Sequence, residues 1–271
     1  MEYKVSIATD KGTVKEVNQD STMVKVASSD KIGRIVMGVL CDGMGGLSHG
    51  EVASAMMVER LETWFSDELP SVLGRINVTE RLDETDQKTD LIADIRREWM
   101  AIAARMNNEI LQYGYRSGAP LGTTAVCFLM IGQEFIVMNI GDSRAYMITD
   151  DAVQLLTHDQ SVVQDMMDRG LMTREEAEIS PQRSVLLQCI GASGSVVPQF
   201  VRGYIAENTS ILLCSDGFWR KLESRELEAF LSPSRCPDEE DMKRELGRLV
   251  GMVKEREETD NISAVLIKCM L

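Results

Sequence analysis

The chain is expected to be an α+β protein, an αββα four-layer sandwich of two antiparallel sheets packed face to face with helices outside. Three observations predict it. Runs rich in β-branched and apolar residues recur along all 271 residues, broken by Gly, Asp and Ser. Most of these runs follow one another through short links, such as Gly132-Gln133, which suit hairpins and hence antiparallel pairing. The intervening helical segments carry apolar stripes that need a sheet face to cover them.

The elements follow in order. Strands are expected at Tyr3–Thr9, Thr22–Ala27 and Arg34–Cys41. A helix over Glu51–Asp67 places Ala53, Met57, Leu61 and Trp64 on one stripe. A second over Asp90–Tyr113 aligns Leu91, Ile95, Trp99, Ile102, Met106 and Ile110 at spacings of three and four. Between them Ser71–Lys88, polar and charged after Pro70, is expected as a loop. Strands resume at Thr123–Ile131, Glu134–Ile140, Ser143–Ile148 and Val153–Leu156.

From Asp159 to Pro198 the texture changes. Gln160–Arg169 and Thr173–Ile179 suit short helices, the second opened by a capping box of Thr173 and Glu176, and Ser180–Gly194 is rich in Ser, Gly and Pro. Strands at Gln199–Ile205 and Ser210–Cys214, helices at Ser224–Leu231 and Asp238–Glu255, and a last strand over Asn261–Cys269 complete the order. With no repeat, low-complexity tract or linker, residues 1–271 are expected to form one domain.

Bulk properties narrow the function. The 29 basic and 43 acidic residues give a formal charge of -14. Nucleic acid and anionic membranes need concentrated Lys and Arg, so neither is expected as a partner. The six cysteines form no C-x-x-C pair and mostly lie in apolar runs, which predicts buried reduced thiols. With only His49 and His158 available, a Cys–His nucleophile or a zinc site is disfavoured. Met1-Glu2-Tyr3-Lys4-Val5 lacks the apolar core of a secretory signal, and no stretch is long enough to span a bilayer. A cytoplasmic location is the expectation.

Five acids stand out. Asp20, Asp42, Asp142, Asp216 and Asp260 each sit at the end of an apolar run beside small or turn-forming residues. A carboxylate there is costly to desolvate unless a cation meets it. Several such ends converging in a folded sheet would make a site for hard divalent cations. Asp42 is followed by Gly43-Met44-Gly45-Gly46, whose tight backbone path would let the Gly43 carbonyl act as a further oxygen ligand. Taken singly, Asp216 and Asp260 read more often as turn or cap residues, and Asp42 reads equally as the cap of a Gly-rich turn. Asp142, in Gly141-Asp142-Ser143-Arg144, would serve as well as a local partner for Arg144.

The spelling around these acids resembles the metal-dependent protein Ser/Thr phosphatases, the protein phosphatase 2C or PPM family, in its compact bacterial form. The resemblance rests on Thr9-Asp10-x-Gly12 with Asn18-Gln19-Asp20, Asp42-Gly43-Met44-Gly45-Gly46, Gly122-Thr123-Thr124-Ala125 and Asn139-Ile140-Gly141-Asp142-Ser143-Arg144. It continues through Leu156-Thr157-x-Asp159-x-Ser161, Leu187-x-x-x-Ile190-Gly191, Ser215-Asp216-Gly217 and Asp260-Asn261-Ile262. Eight such words in register run nearly end to end.

The resemblance implies a division of labour. Asp42 would bridge two Mn²⁺ or Mg²⁺ ions, and the Gly43 carbonyl would bind one of them. Asp216 and Asp260 would complete that ion's protein shell, and Asp20 would hold the other mainly through waters. Asp142 would lean toward a weaker third ion. A water shared by the two main ions would attack phosphorus directly, with no phosphoenzyme. Phosphorylated Ser/Thr proteins, either substrates of a kinase or a kinase itself, would be the partners of a monomeric enzyme. The excursion over 159–198 would be a flap beside the site that governs substrate choice.

The sequence departs from the family pattern at four places. Lys15 stands where an Arg usually clamps the substrate phosphate, and it offers charge without a bidentate fork. Gln19 replaces an acid, Met44 occupies the place of a candidate general-acid His in eukaryotic relatives, and Arg220 sits where some relatives supply another third-site acid. Lys15, Gln19 and Arg220 keep a second reading open, a catalytically weak or inactive phosphatase-like regulatory or phosphopeptide-binding module. His49 and His158 suit structural roles better than catalysis.

Overall fold

The computed structural model describes residues 2–29, 32–45, 49–74, 90–205 and 208–270. Eleven strands are described: β1 Glu2–Asp10, β2 Asp20–Ser29, β3 Gly33–Gly45, β4 Leu121–Thr123, β5 Ala125–Ile131, β6 Glu134–Ile140, β7 Arg144–Ile148, β8 Val153–Leu155, β9 Gln199–Tyr204, β10 Thr209–Cys214 and β11 Ile262–Met270. One sheet runs β1-β11-β10-β7-β8 and the other β2-β3-β5-β6-β9, with β4 paired to the end of β3. Every described pairing is antiparallel.

Helices cover both outer faces, as expected. On the β3 side lie α1 Gly50–Thr63, α2 Leu69–Gly74 and α3 Leu91–Ser117. On the β11 side lie α6 Asp216–Trp219, α7 Ser224–Leu231 and α8 Glu239–Glu255, while α4 Val162–Asp168 and α5 Arg174–Ile179 belong to the excursion.

Strand alternation sorts side chains into three apolar layers. In β3, Ile35, Met37, Val39 and Cys41 face the helices with Trp64, Trp99 and Ile110, whereas Val36 and Leu40 face the other sheet. In β11, Val265, Ile267 and Cys269 point inward to that same intersheet layer, and Ala264 and Leu266 meet Leu246, Leu249 and Val253 of α8. The central strands are therefore apolar on both faces, and each fully buried Leu or Ile contributes about 1.5–3 kcal/mol.

Several expectations need correction. The loop expected from Ser71 begins in helix, since 71–74 lie in α2, and the rest of that stretch falls outside the described residues. The helical path from α1 reaches α2 through a π-helical turn, Trp64–Glu68, in which the Leu69 N–H donates to the Trp64 carbonyl. Pro70 has no N–H to give, and a wider turn just before it absorbs that loss. The strand expected over Thr123–Ile131 splits at Thr124, and the short helix α6 at Asp216 escaped periodicity because it is only four residues long.

All six thiols are buried and unpaired. Among the described residues no helix is long and apolar enough to cross a membrane.

Candidate metal centre

The strand ends bring the five acids to one end of the sandwich. Asp20 opens β2 and pairs in register with Asp42 of β3. Asp42 therefore lies inside its strand, not beyond it, because β3 continues to Gly45 and takes β4 as a partner. The link from β6 to β7 carries Asp142 from one sheet to the other, β10 ends at Cys214 just before Asp216, and β11 begins at Ile262 just after Asp260.

The flanking words fix the backbone beneath these acids. The Asp42 N–H donates to Thr124 Oγ1 at 2.9 Å, and its carbonyl accepts from the Thr124 N–H at 2.9 Å and from Thr123 Oγ1 at 3.0 Å. Asn18 Oδ1 accepts from the Asp20 N–H at 3.1 Å. Asn261 Oδ1 accepts from the Gln19 N–H, while its Nδ2 donates to the carbonyls of Lys11 and Val17. One amide side chain thus ties the loop before Asp20 to the residue after Asp260. Buried Glu258, which the sequence reading passed over, accepts from the N–H groups of Thr259 and Asp260 and shapes that turn.

Gly43 is required by close approach. A Cβ there would stand 2.2 Å from the Gly50 carbonyl oxygen, and one at Gly50 would stand 2.7 Å from the Gly43 oxygen. Only two glycines can let these backbones meet. Gly46, the last residue of the glycine word, lies outside the described residues.

Cations already meet some of the acids. Lys15 Nζ is 2.9 Å from Asp260 Oδ1. Arg220, one helical turn after Asp216, places Nη2 2.6 Å from Asp216 Oδ2 and 3.6 Å from Asp142 Oδ2. Arg144 does not pair with Asp142; it forks onto both oxygens of Asp159 at 2.9 and 2.7 Å and lies 3.3 Å above the Trp219 ring. Gln19 Nε2 reaches Glu51 Oε2 at 3.3 Å, so the amide replacing the family's acid makes a bond that a second carboxylate would turn into repulsion.

Each histidine has a carboxylate neighbour outside the five acids. His158 Nε2 lies 2.7 Å from Asp168 on α4, and His49, with a left-handed φ of 82°, opens α1 with Nδ1 3.9 Å from Glu51.

The electrostatics of the centre demand positive charge. Both carboxylate oxygens of Asp20 are sealed from solvent without a hydrogen-bond partner. Burial, reinforced by the charges of Asp216 and Asp260, pushes the Asp20 carboxyl up to about 7. The hydroxyls of Ser263 and Ser215 pull that carboxyl down, although Ser215 Oγ also bonds the Ser263 backbone and Ser263 Oγ bonds Thr9. Burial likewise raises Asp42 well above the carboxylate range, with Asp20, Asp216, Asp142 and Asp260 all adding to it. Asp142 is pushed up to about 8 by burial and Asp216, against the pull of Arg220. Buried Asp216 is raised as well, again against Arg220.

A donor set of carboxylates and one glycine carbonyl suits hard oxygen-seeking ions. The partnerless Asp20 oxygens and the Gly43–Gly50 cradle fit such ions. No three His, Cys, Asp or Glu side chains among the described residues close into a ready-made cage. Lys15 and Arg220 pair with three of the acids, Asp260, Asp142 and Asp216.

The comparisons place this architecture. The family model described as protein phosphatase 2C matches residues 10–251, and the chain belongs to that family. The matched segment takes in Asp20, Asp42, Asp142 and Asp216 and stops short of Asp260. The serine/threonine phosphatase stp of Listeria innocua is 31% identical over 85% of this chain and 84% of its own length. The S. agalactiae serine/threonine phosphatase superposes with a TM-score of 0.78 at 25% identity, covering 98% of this chain and 99% of that one. The catalytic domain of the phosphatase PstP, solved with two manganese ions, superposes with a TM-score of 0.73 at 24% identity over 99% of both chains.

Proposed function

We propose that this chain is a protein phosphatase that hydrolyses phosphoserine and phosphothreonine, with Asp42 and its neighbours holding two Mn²⁺ or Mg²⁺ ions. The observation that carries the residue assignment is the register pair Asp20–Asp42, one acid closed in and partnerless, the other raised by burial and by the four acids around it. Asp42 would bridge the two ions. The Gly43 carbonyl, Asp216 and Asp260 would serve one, and Asp20 the other. Bound there, such ions would lower the pKa of a water and neutralise charge on the transferring phosphoryl group.

The chain's own residues do the rest. Thr123, Thr124 and Asn261 fix the backbone from which the acids project, so little reorganisation is needed at the moment of reaction. Lys15, on the exposed side of Asp260, supplies a positive charge for the substrate phosphate. The excursion bearing α4 and α5 is read as a flap that would meet the peptide around the phosphoresidue, and phosphoproteins, whether kinase substrates or a kinase, are the proposed partners of a monomer. A non-catalytic module has no support, because every acid facing the centre is present.

The purified chain is expected to release phosphate from a phosphothreonine peptide with Mn²⁺ and to stop when EDTA is added. Full activity in an Asp42→Asn, Asp216→Asn double variant would overturn the assignment.

A further inference from the structure

Asp142 and Asp216 are separated by a side chain that belongs to neither a substrate nor an ion. Arg220 is only 16% exposed, and it reaches both acids with the same nitrogen. Its place is set locally. The Arg220 N–H donates to the Asp216 carbonyl at 3.0 Å, closing one helical turn that points the side chain back over Asp216. The preceding residue, Trp219, is fixed independently: its indole N–H donates to the Asp142 carbonyl at 3.0 Å and its ring lies beneath Arg144. Glu258 and Asp260, in the turn before β11, add to the attraction on the guanidinium. Burial alone would lower the Arg220 guanidinium, but these four acids hold it above its ordinary value.

We propose that Arg220 is a built-in cation occupying the ground between Asp142 and Asp216, so that the centre takes two divalent ions and excludes a third. The inference rests on the two-ion reading above. A guanidinium supplies one charge in a fixed place with no dissociation equilibrium. A divalent ion between the same acids would have to displace a buried cation or sit against it, and both cost more than leaving Arg220 where it is. Asp142 therefore acts in this chain as a partner for Arg220 and not as a metal ligand. The positive charge between Asp142 and Asp216 then does not depend on a loosely held third ion.

The test is a count of bound ions, by equilibrium dialysis at millimolar Mn²⁺ followed by metal analysis, with melting curves recorded alongside. Wild type is expected to saturate at two ions. Arg220→Asp, which turns the cation into an acid, is expected to bind one more. Arg220→Met, which keeps the apolar stem and removes the charge, is expected to bind an additional ion with weaker affinity. A wild-type count of three would overturn the proposal. So would a count in folded Arg220→Met equal to that of wild type, and this variant decides the matter if Arg220→Asp fails to fold. A wild-type count below two overturns the two-ion reading instead, and is told apart because the Arg220 inference is judged on the increment of one ion between wild type and variant.

Discussion

The two ends of β11 bury charge in opposite ways. At its far end Lys268, 6% exposed, donates to the carbonyls of Pro233 at 2.7 Å and Cys236 at 2.9 Å. At its near end stand Asp260 and, across the sheets, Asp20, Asp42, Asp142 and Asp216, most of them raised by burial and by one another. One end is settled within the protein, while the other is left with more negative charge than its cations neutralise. A buried charge at a structural position is normally satisfied, since each unmet one costs several kcal/mol. Acids left in mutual repulsion are the mark of a place built for something that arrives later.

That contrast is broken most forcefully at Asp42. Asp42→Asn keeps the shape and removes the charge common to both proposed ions. Loss of a contribution of several kcal/mol predicts a fall in kcat of at least about 10³-fold with Mn²⁺. The same variant should melt higher than wild type in EDTA, because it relieves repulsion among Asp20, Asp216 and Asp142. A lower melting temperature in EDTA would mean that Asp42 is structural, as Lys268 is.

The opposite end should respond in the opposite sense. Lys268→Met leaves two buried carbonyls without their donor, for a loss of about 1–3 kcal/mol in stability. The rate per folded molecule should stay at the wild-type value, since the substitution is at the other end of the strand. Urea unfolding together with a phosphopeptide assay separates the two quantities.

The contrast also carries a pH dependence whose sign is fixed. Raised carboxyl values mean that the folded state binds more protons than the unfolded one, so stability falls as pH rises between the two. For Asp20 and Asp142 that window runs from the ordinary carboxylate value to about 7 and about 8. In EDTA the melting temperature should therefore fall from pH 5 to pH 8. With saturating Mn²⁺ the fall should shrink or reverse, because ion binding requires the deprotonated acids. A melting curve in EDTA indifferent to pH would remove the electrostatic argument for the centre.

Much of this was legible beforehand, for identifiable reasons. The αββα order follows from local signals, alternation in β3 and β11 and stripes in α3 and α8, which short-range patterns specify well. The five acids were legible because each follows or precedes an apolar run beside small or turn-forming residues, although Asp42 proves to lie within its strand. Long-range partners were not. Nothing in the local sequence says that Arg144 passes over Asp142 to reach Asp159, or that Arg220 lies between Asp142 and Asp216. Asn261 and Glu258 gave no separate warning, since their roles are bonds to backbone across 242 residues or within one turn. The π-helical turn before Pro70 was hidden because proline ordinarily signals the end of a helix.

The smallest predicted effect, at Lys15, bears on what the near end is waiting for. Its side chain is 42% exposed, and its bond to Asp260 is a solvent-screened pair worth about 0–1 kcal/mol. Burial on its own would lower the ammonium, but the bond and attraction to Asp260, with Asp42 and Asp216 behind it, hold it above its ordinary value. An ion held by Asp260 would replace that attraction and leave the ammonium free for a substrate phosphate. Lys15→Ala should accordingly raise KM for a phosphopeptide by at most about fivefold, the factor that 1 kcal/mol sets, with kcat nearly unchanged. Lys15→Arg should lower KM below wild type, because a guanidinium offers the phosphate a bidentate fork. If Lys15→Ala instead reduced kcat on the scale expected of Asp42→Asn, Lys15 would belong to the chemistry itself, and the division between a screened cation at the rim and unneutralised acids beneath it would fail.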